Sequence, residues 1–323
     1  MIDTGISIEQ FDEWNELRHK DITSSDVSAL FGHNPYISYY GMWHRKKAPT
    51  PPHFEATEAM EWGNELEPVV ASVTARKNGL IIRPKKTYCR HDTLQAGSSF
   101  DYEIIGTTPE SPYRADFEKM GNGILEIKTA DFFAFKNTWK QEEGHDVSPY
   151  VEIQVQHQLM ISGLKWGLVG ALVGGNRGHV VKITARADVH QAMEIAIEKF
   201  WLTQYANEEP HPDYKVDSDF ILSRHNNPNG EKVYMDDPVI DGLVRGYLEA
   251  SKQEKRIAQE KKTIQAQIVE YVGDLQKVTN ALGTWKVSRS LVAGKPDSVI
   301  TEDMVGQVVK GRKAYTTFSV TGE

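Results

Sequence analysis

Glu126 and Lys128 stand two residues apart in Gly123-Ile124-Leu125-Glu126-Ile127-Lys128-Thr129, a run with the alternation of a β-strand. Side chains two apart on a strand share a face, so a carboxylate and an ammonium project together while Leu125 and Ile127 enter the core. Alone, such a pair is commonly a surface ion pair of little energetic worth. Asp101, in Ser98-Ser99-Phe100-Asp101-Tyr102, raises its standing. It lies on a preceding stretch of strand character among small and apolar residues, where an unpaired carboxylate is costly. Two carboxylates and a lysine are the equipment of Mg2+-assisted phosphodiester hydrolysis. The cation prefers oxygen ligands and takes only one or two carboxylates from the protein, while the lysine positions water and offsets charge on the phosphoryl oxygens. A helix acid, Glu65 or Glu67, would complete the site, and Asp116 in Arg114-Ala115-Asp116-Phe117 is an alternative metal acid, nearer in sequence to Glu126. Gln154 and Gln158 lie one turn apart. Their amides can serve a phosphate or a metal-bound water, or form a polar stripe on a surface helix.

The elements that must position these groups follow from periodicity. A helix is predicted over 56–78, ended by Gly79. Strands follow over 86–91, 95–105, 113–119 and 124–129, with Gly121-Asn122-Gly123 as a hairpin turn, giving a β-meander. A second helix covers 150–163, a hairpin 165–184 turns at Gly174-Gly175-Asn176, and a third helix runs over 189–207. The sum is an α/β or α+β fold around one mixed sheet. Glu208-Glu209-Pro210 marks a boundary, dividing the chain into a core over 1–208 and an appendage over 209–323. The appendage has a long charged helix over 238–272, with a seven-residue repeat interrupted by Glu254 and Lys261, and strands over 283–288 and 314–320. Packing onto the body or a short helical hairpin is the expected use of that repeat.

Composition narrows the classes. The 323 residues carry 37 Lys+Arg against 45 Asp+Glu, a formal net charge of −8, which argues against a general polyanion coat. The clusters at 44–47 and around Arg83, Lys85, Lys86 and Arg90 read chiefly as solvated faces. The single cysteine, Cys89, can form neither an internal disulfide nor a thiolate metal site, so any metal site uses hard oxygen ligands. No apolar run approaches the ~20 residues needed to span a bilayer, and an intracellular protein is expected. There is no G-x-x-x-x-G-K-[ST] loop, so no ATPase is built in.

In order along the chain, four blocks resemble the phage λ exonuclease and YqaJ-type viral recombinase family, a branch of the PD-(D/E)xK, restriction-endonuclease-like fold. They are Arg18 with Ile22-Thr23-Ser24-Ser25-Asp26-Val27 and Gly32-His33-Asn34-Pro35-Tyr36; Trp62-Gly63-Asn64-Glu65-Leu66-Glu67; Ser99-Phe100-Asp101 with Glu126-Ile127-Lys128; and Gln154-Val155-Gln156-His157-Gln158-Leu159. Together they span roughly residues 15–185, and their ordered co-occurrence is more specific than any one motif. The usual Pro-Asp dipeptide is Phe100-Asp101 here, and Tyr102 stands where glycine often follows.

The resemblance implies a Mg2+-dependent exonuclease, with Mn2+ as a substitute. It would degrade one strand of linear duplex DNA from the 5′ end and pass the 3′ single strand to an annealing protein or recombinase. It implies Asp101, Glu126 and Glu67 as metal acids, Asp101 preferred over Asp116 and Glu67 over Glu65. Lys128 and Gln154 join them as catalytic residues, and Arg18, Ser25 and Gln158 contact DNA, the first two at a 5′-phosphate. It further implies a homo-oligomeric ring, a trimer by preference, acting in the bacterial host cytoplasm. Two rival readings are a structure- or sequence-specific endonuclease on the same fold and a catalytically silent module that binds DNA ends or a partner.

Overall fold

Capping side chains mark the start of six of the nine α-helices among the described residues. Ser38, Thr57, Asp131, Ser148, Asp213 and Asp237 each accept a backbone N–H of the helix they precede, as short polar side chains do at N-caps. Gly79 and Gly163 end two of these helices with left-handed φ of 60° and 73°, a conformation a Cβ disfavours. The computed structural model describes residues 1–52, 56–139, 147–226, 230–294, 298–299, 308–309 and 315–322. It forms two compact units, Met1–Asn229 and Gly230–Glu323.

The first unit begins with β1 (Ile2–Ser7), α1 (Phe11–Lys20), β2 (Ile22–Thr23), a 3-10 turn at Val27–Phe31, α2 (Tyr39–Lys47) and α3 (Glu58–Asn78). Next come β3 (Leu80–Pro84), β4 (Thr87–Arg90), β5 (Ala96–Ser98), β6 (Tyr102–Thr107), α4 (Arg114–Met120), β7 (Gly123–Ala130) and α5 (Phe132–Thr138). It closes with α6 (Pro149–Ser162), β8 (Trp166–Val173), β9 (Arg177–Thr184), α7 (Ala187–Ala206) and α8 (Tyr214–Arg224).

A five-stranded sheet of order β3-β6-β7-β8-β9 carries β7 parallel to β8 and antiparallel pairs elsewhere. The parallel pair needs a crossover, and α6 lies within it. Leu125 and Ile127 of β7 face α3, packing with Val70, Ala71 and Leu168. Gly170 permits that approach, since a Cβ there would stand 3.1 Å from the Thr74 side chain. On the opposite face Ile124 joins Val155, Leu159 and Val169 in the larger core. Helices thus cover both faces, and the alternation read along β7 holds.

Other expectations are corrected. Residues 114–120 form a helix, not a strand, with Tyr113, Phe117 and Met120 packed on the core at helical spacing. Gly121 therefore ends a helix instead of closing a hairpin. The predicted strand over 95–105 breaks at 99–101. Its first part, β5, belongs to a separate four-stranded sheet of order β1-β4-β5-β2, and its second part, β6, to the main sheet. Among the described residues of this unit, two sheets replace the expected one. The compact unit extends 21 residues beyond the expected boundary at 208, because α8 packs on α2. Arg224 donates to the Tyr40 hydroxyl at 2.9 Å, and Ser38 donates to Asp217.

In the second unit α9 (Pro238–Val272) is one continuous helix with no buried residue, not a hairpin. Strands β10 (Lys277–Thr279), β11 (Trp285–Val292) and β14 (Tyr315–Gly322) form an antiparallel sheet in that order, and β12 (Ser298–Val299) pairs with β13 (Val308–Val309). Among the described residues no helix is long and apolar enough to cross a membrane.

Candidate active site

Glu126 projects from the α6 face of β7 and is 3% exposed. Such a carboxylate needs partners, and it has three. Lys128 Nζ and Gln154 Nε2 each donate to Oε1 at 2.5 Å, and Gln158 Nε2 donates to Oε2 at 2.7 Å. Gln158 also reaches the Ser99 carbonyl at 3.3 Å. The glutamines are not a surface stripe. Both are buried, because α6 is enclosed along most of its length, and their Oε1 atoms lack a hydrogen-bond partner among the described residues.

Asp101 comes from the break between β5 and β6, the irregular segment that lets the chain change sheets. Its Oδ2 accepts the Ile127 N–H at 2.7 Å, which pins it beside Glu126. Burial, then the charge of Glu126 and to a lesser degree that of Glu67, hold the Asp101 carboxyl well above its usual range, with Lys128 and the Ile127 N–H opposing. Glu67, half-buried on α3, is pushed up by burial and by Glu126 and eased by Lys128 and Lys86. Glu65 is exposed. Burial works against the Lys128 ammonium, but Glu126 and Asp101 outweigh it and raise the amine above its ordinary value. Lys128 therefore remains a cation at neutral pH, suited to hold a proton and not to remove one.

Asp101, Glu126, Lys128, Glu67, Gln154 and Gln158 are thus brought to one place. Asp116 is not. It sits on α4, where both its oxygens accept from Lys182 Nζ at 3.0 Å, and it exerts none of the charge effects recorded on Asp101. Among the described residues no three His, Cys, Asp or Glu side chains form a ready metal-binding group. Two carboxylates with Glu67 nearby match a hard cation that keeps several waters, and the crowding of like charge around Asp101 is what a divalent ion relieves.

Arg18 and Ser25 meet at the second predicted location. Arg18 donates to Ser25 Oγ at 3.1 Å, and its guanidinium lies 4.4 Å from the Trp14 ring centroid. Both line a cavity of about 710 Å3 with Thr23, Asn34, Arg45 and Thr129. The basic run at 44–47, read from sequence as a solvated face, partly builds this cavity. Lys46 is buried and donates to the Arg18 and Asp21 carbonyls at 2.7 and 2.6 Å and to Asp26 at 2.9 Å, while Arg45 pairs with Asp26. Burial opposes the Asp26 charge, yet Lys46, Arg45 and Arg18 together hold its carboxyl well below the usual range.

Sequence reasoning also missed His157. Its Nδ1 lies 2.8 Å from Ser24 Oγ, which donates to Ser98 Oγ at 2.7 Å, and Ser98 donates to the Ser99 carbonyl at 2.6 Å. With the serine hydroxyl committed to Ser98, Nδ1 carries the hydrogen. Burial lowers the imidazole pKa to about 3, so it is neutral. No sequence signal set it apart, for it stands among Gln154, Gln156 and Gln158 on a helix that also carries Glu152, a pattern that reads as a polar stripe.

Residues 13–165 match the model of the YqaJ-like viral recombinase domain. A Bacillus subtilis (strain 168) protein described as uncharacterised protein YqaJ is 31% identical over 169 residues, covering 51% of this chain and 47% of that one. The chain thus spans about half the length of that curated relative. Among solved structures, the alkaline exonuclease LHK-Exo from Laribacter hongkongensis is 18% identical, with 67% of this chain and 99% of that chain covered and a TM-score of 0.47. A phage-related exonuclease from Haemophilus somnus 129PT is 12% identical over 60% of this chain and 99% of its own, with a TM-score of 0.38.

Proposed function

We propose, from the match of residues 13–165 to the YqaJ-like viral recombinase domain and from the site geometry, that this chain is a Mg2+-dependent deoxyribonuclease of the PD-(D/E)xK type. It degrades one strand of linear double-stranded DNA from the 5′ end and leaves a 3′ single strand for an annealing protein. The observation that supports this reading best is the convergence of Asp101 and Glu126 with the raised, cationic Lys128.

Asp101 and Glu126 are the residues that would hold the cation, with Glu67 reaching the same region from α3. When bound, Mg2+ supplies a Lewis acid for the scissile phosphate and lowers the pKa of water. The protein's own contribution is electrostatic and positional. Lys128, held as an ammonium, donates to the attacking water or to a phosphoryl oxygen and offsets charge that grows during attack. Gln154 and Gln158 fix the rotamer of Glu126 without adding charge. Arg18 grips a terminal phosphate through its fork of N–H donors, and the Ser25 hydroxyl adds one more.

A chain with net charge −8 holds DNA best where its cations are focused. A ring of copies, trimeric in the reading from resemblance, gathers the Arg18 and Arg45 faces around the duplex.

The test is digestion with Mg2+ of linear duplex bearing 5′-phosphate, linear duplex bearing 5′-hydroxyl, and closed circular duplex. The expected order is fast, slow and uncut. Cutting of closed circles contradicts an exonuclease, and equal rates on the two linear ends remove the Arg18–Ser25 phosphate pocket.

A further inference from the structure

A second cavity, of about 690 Å3, adjoins the candidate site and is lined by Lys128, Asp131, Asn137 and Trp139 among others. It shares a wall with the phosphate pocket, for Asn34, Tyr36, Thr129 and Tyr150 line both. The tyrosines meet edge to face, with ring centroids 5.7 Å apart and an interplanar angle of 79°, an arrangement aromatic pairs favour. Tyr150 stands one helical turn before Gln154 on α6, hence on the same side, and the charges of Lys128 and Glu126 reach it.

Tyr36 is 83% exposed, so folding gains little from burying its ring. Its backbone is nevertheless fixed. Asn34 Oδ1 accepts the N–H groups of Tyr36 and Ile37 at 2.9 and 3.1 Å, and Asn34 Nδ2 donates to the carbonyl of Ser25 at 2.8 Å. The loop carrying the exposed ring is thereby tied to the residue that pairs with Arg18. A flat aromatic face, fixed in solvent between a guanidinium and an ammonium, is what a nucleobase stacks upon.

We propose that Tyr36, buttressed by Tyr150, is a stacking platform for an unpaired nucleobase at the DNA end, set between the phosphate grip and Lys128. The inference builds on the nuclease reading and adds to it the contact that separates the terminal base pair. With no ATP-binding loop in the sequence, opening of that pair is driven by binding alone, and stacking on an aromatic ring replaces part of the stacking lost. Every base offers a π face, so the platform is tolerant of sequence. Tyr36 touches the base; Tyr150 acts through Tyr36 and is a positioning residue.

Two readouts test this with the full chain, its Tyr36→Ala variant and its Tyr36→Phe variant. The first is fluorescence of a 5′-phosphorylated duplex with 2-aminopurine at the terminal position, titrated with protein in EDTA. The second is single-turnover release of the terminal nucleotide with Mg2+, from an ordinary end and from one whose terminal residue is abasic. The expected results are quenching by wild type and Tyr36→Phe but not by Tyr36→Ala, and release by Tyr36→Ala slowed roughly 5- to 150-fold on the ordinary end. On the abasic end wild type falls to the level of Tyr36→Ala, which falls no further. Quenching by Tyr36→Ala equal to wild type overturns the proposal, as does an alanine effect that persists on the abasic end. Absence of any release by wild type contradicts the nuclease reading, and the quenching experiment still decides the platform.

Discussion

His157 gives the site an acid limit that can be worked out numerically. The imidazole is fully buried, and its folded pKa of about 3 lies below the ~6.5 of an unfolded histidine. A group with a depressed folded pKa binds protons preferentially in the unfolded state. Its contribution to stability is therefore intact above pH 6.5 and is lost as pH falls from there toward 3. At pH 4.5 the unfolded imidazole is about two pH units below its pKa while the folded one is still neutral, a loss of about 2.7 kcal/mol relative to pH 7.5. Asn in place of His157 keeps a donor near Ser24 Oγ and cannot titrate. The assay is urea unfolding of wild type and His157→Asn at pH 7.5, 5.5 and 4.5. Tryptophan fluorescence reports it, six of the seven tryptophans lying in Met1–Asn229. Wild type loses about 2.7 kcal/mol more than the variant between the first and last pH. Equal losses would refute the buried neutral imidazole.

Three further outcomes follow from the geometry. Lys128→Gln keeps a donor but removes the cation, and the digestion rate with Mg2+ falls by about 10²- to 10³-fold with the circular dichroism spectrum unchanged. Lys46→Met leaves the buried Asp26 carboxylate with only part of its compensation and costs about 3–5 kcal/mol, read as a lower urea midpoint. Asp116→Asn breaks only the partly exposed pair with Lys182 and changes stability by less than about 0.5 kcal/mol, with digestion at the wild-type rate; loss of digestion would make Asp116 the metal acid.

The sequence made legible what repeats with a fixed period. The alternation along β7 placed Glu126 and Lys128 on one face and Leu125 and Ile127 on the other, and helical spacing found α3, α6, α7 and α9. Residues 113–120 misled because a short run such as Tyr-Arg-Ala-Asp-Phe also alternates; the spacing of Tyr113, Phe117 and Met120 was the helical signal. The transfer of the chain between sheets at 99–101 depends on which strands pair, information that lies in distant segments. Burial was the other gap. Gln154, Gln158 and Lys46 are polar residue types that ordinarily face solvent, and only tertiary packing shows that α6 is enclosed and that Lys46 closes a charge cluster around Asp26.

The cation itself is the most direct test. Crystals soaked in Mn2+, examined for anomalous scattering, are expected to show a peak within coordination distance of the Asp101 and Glu126 carboxylates with Lys128 alongside. A peak elsewhere, or an empty site at saturating Mn2+, would contradict the assignment of these carboxylates to a hydrolytic metal centre.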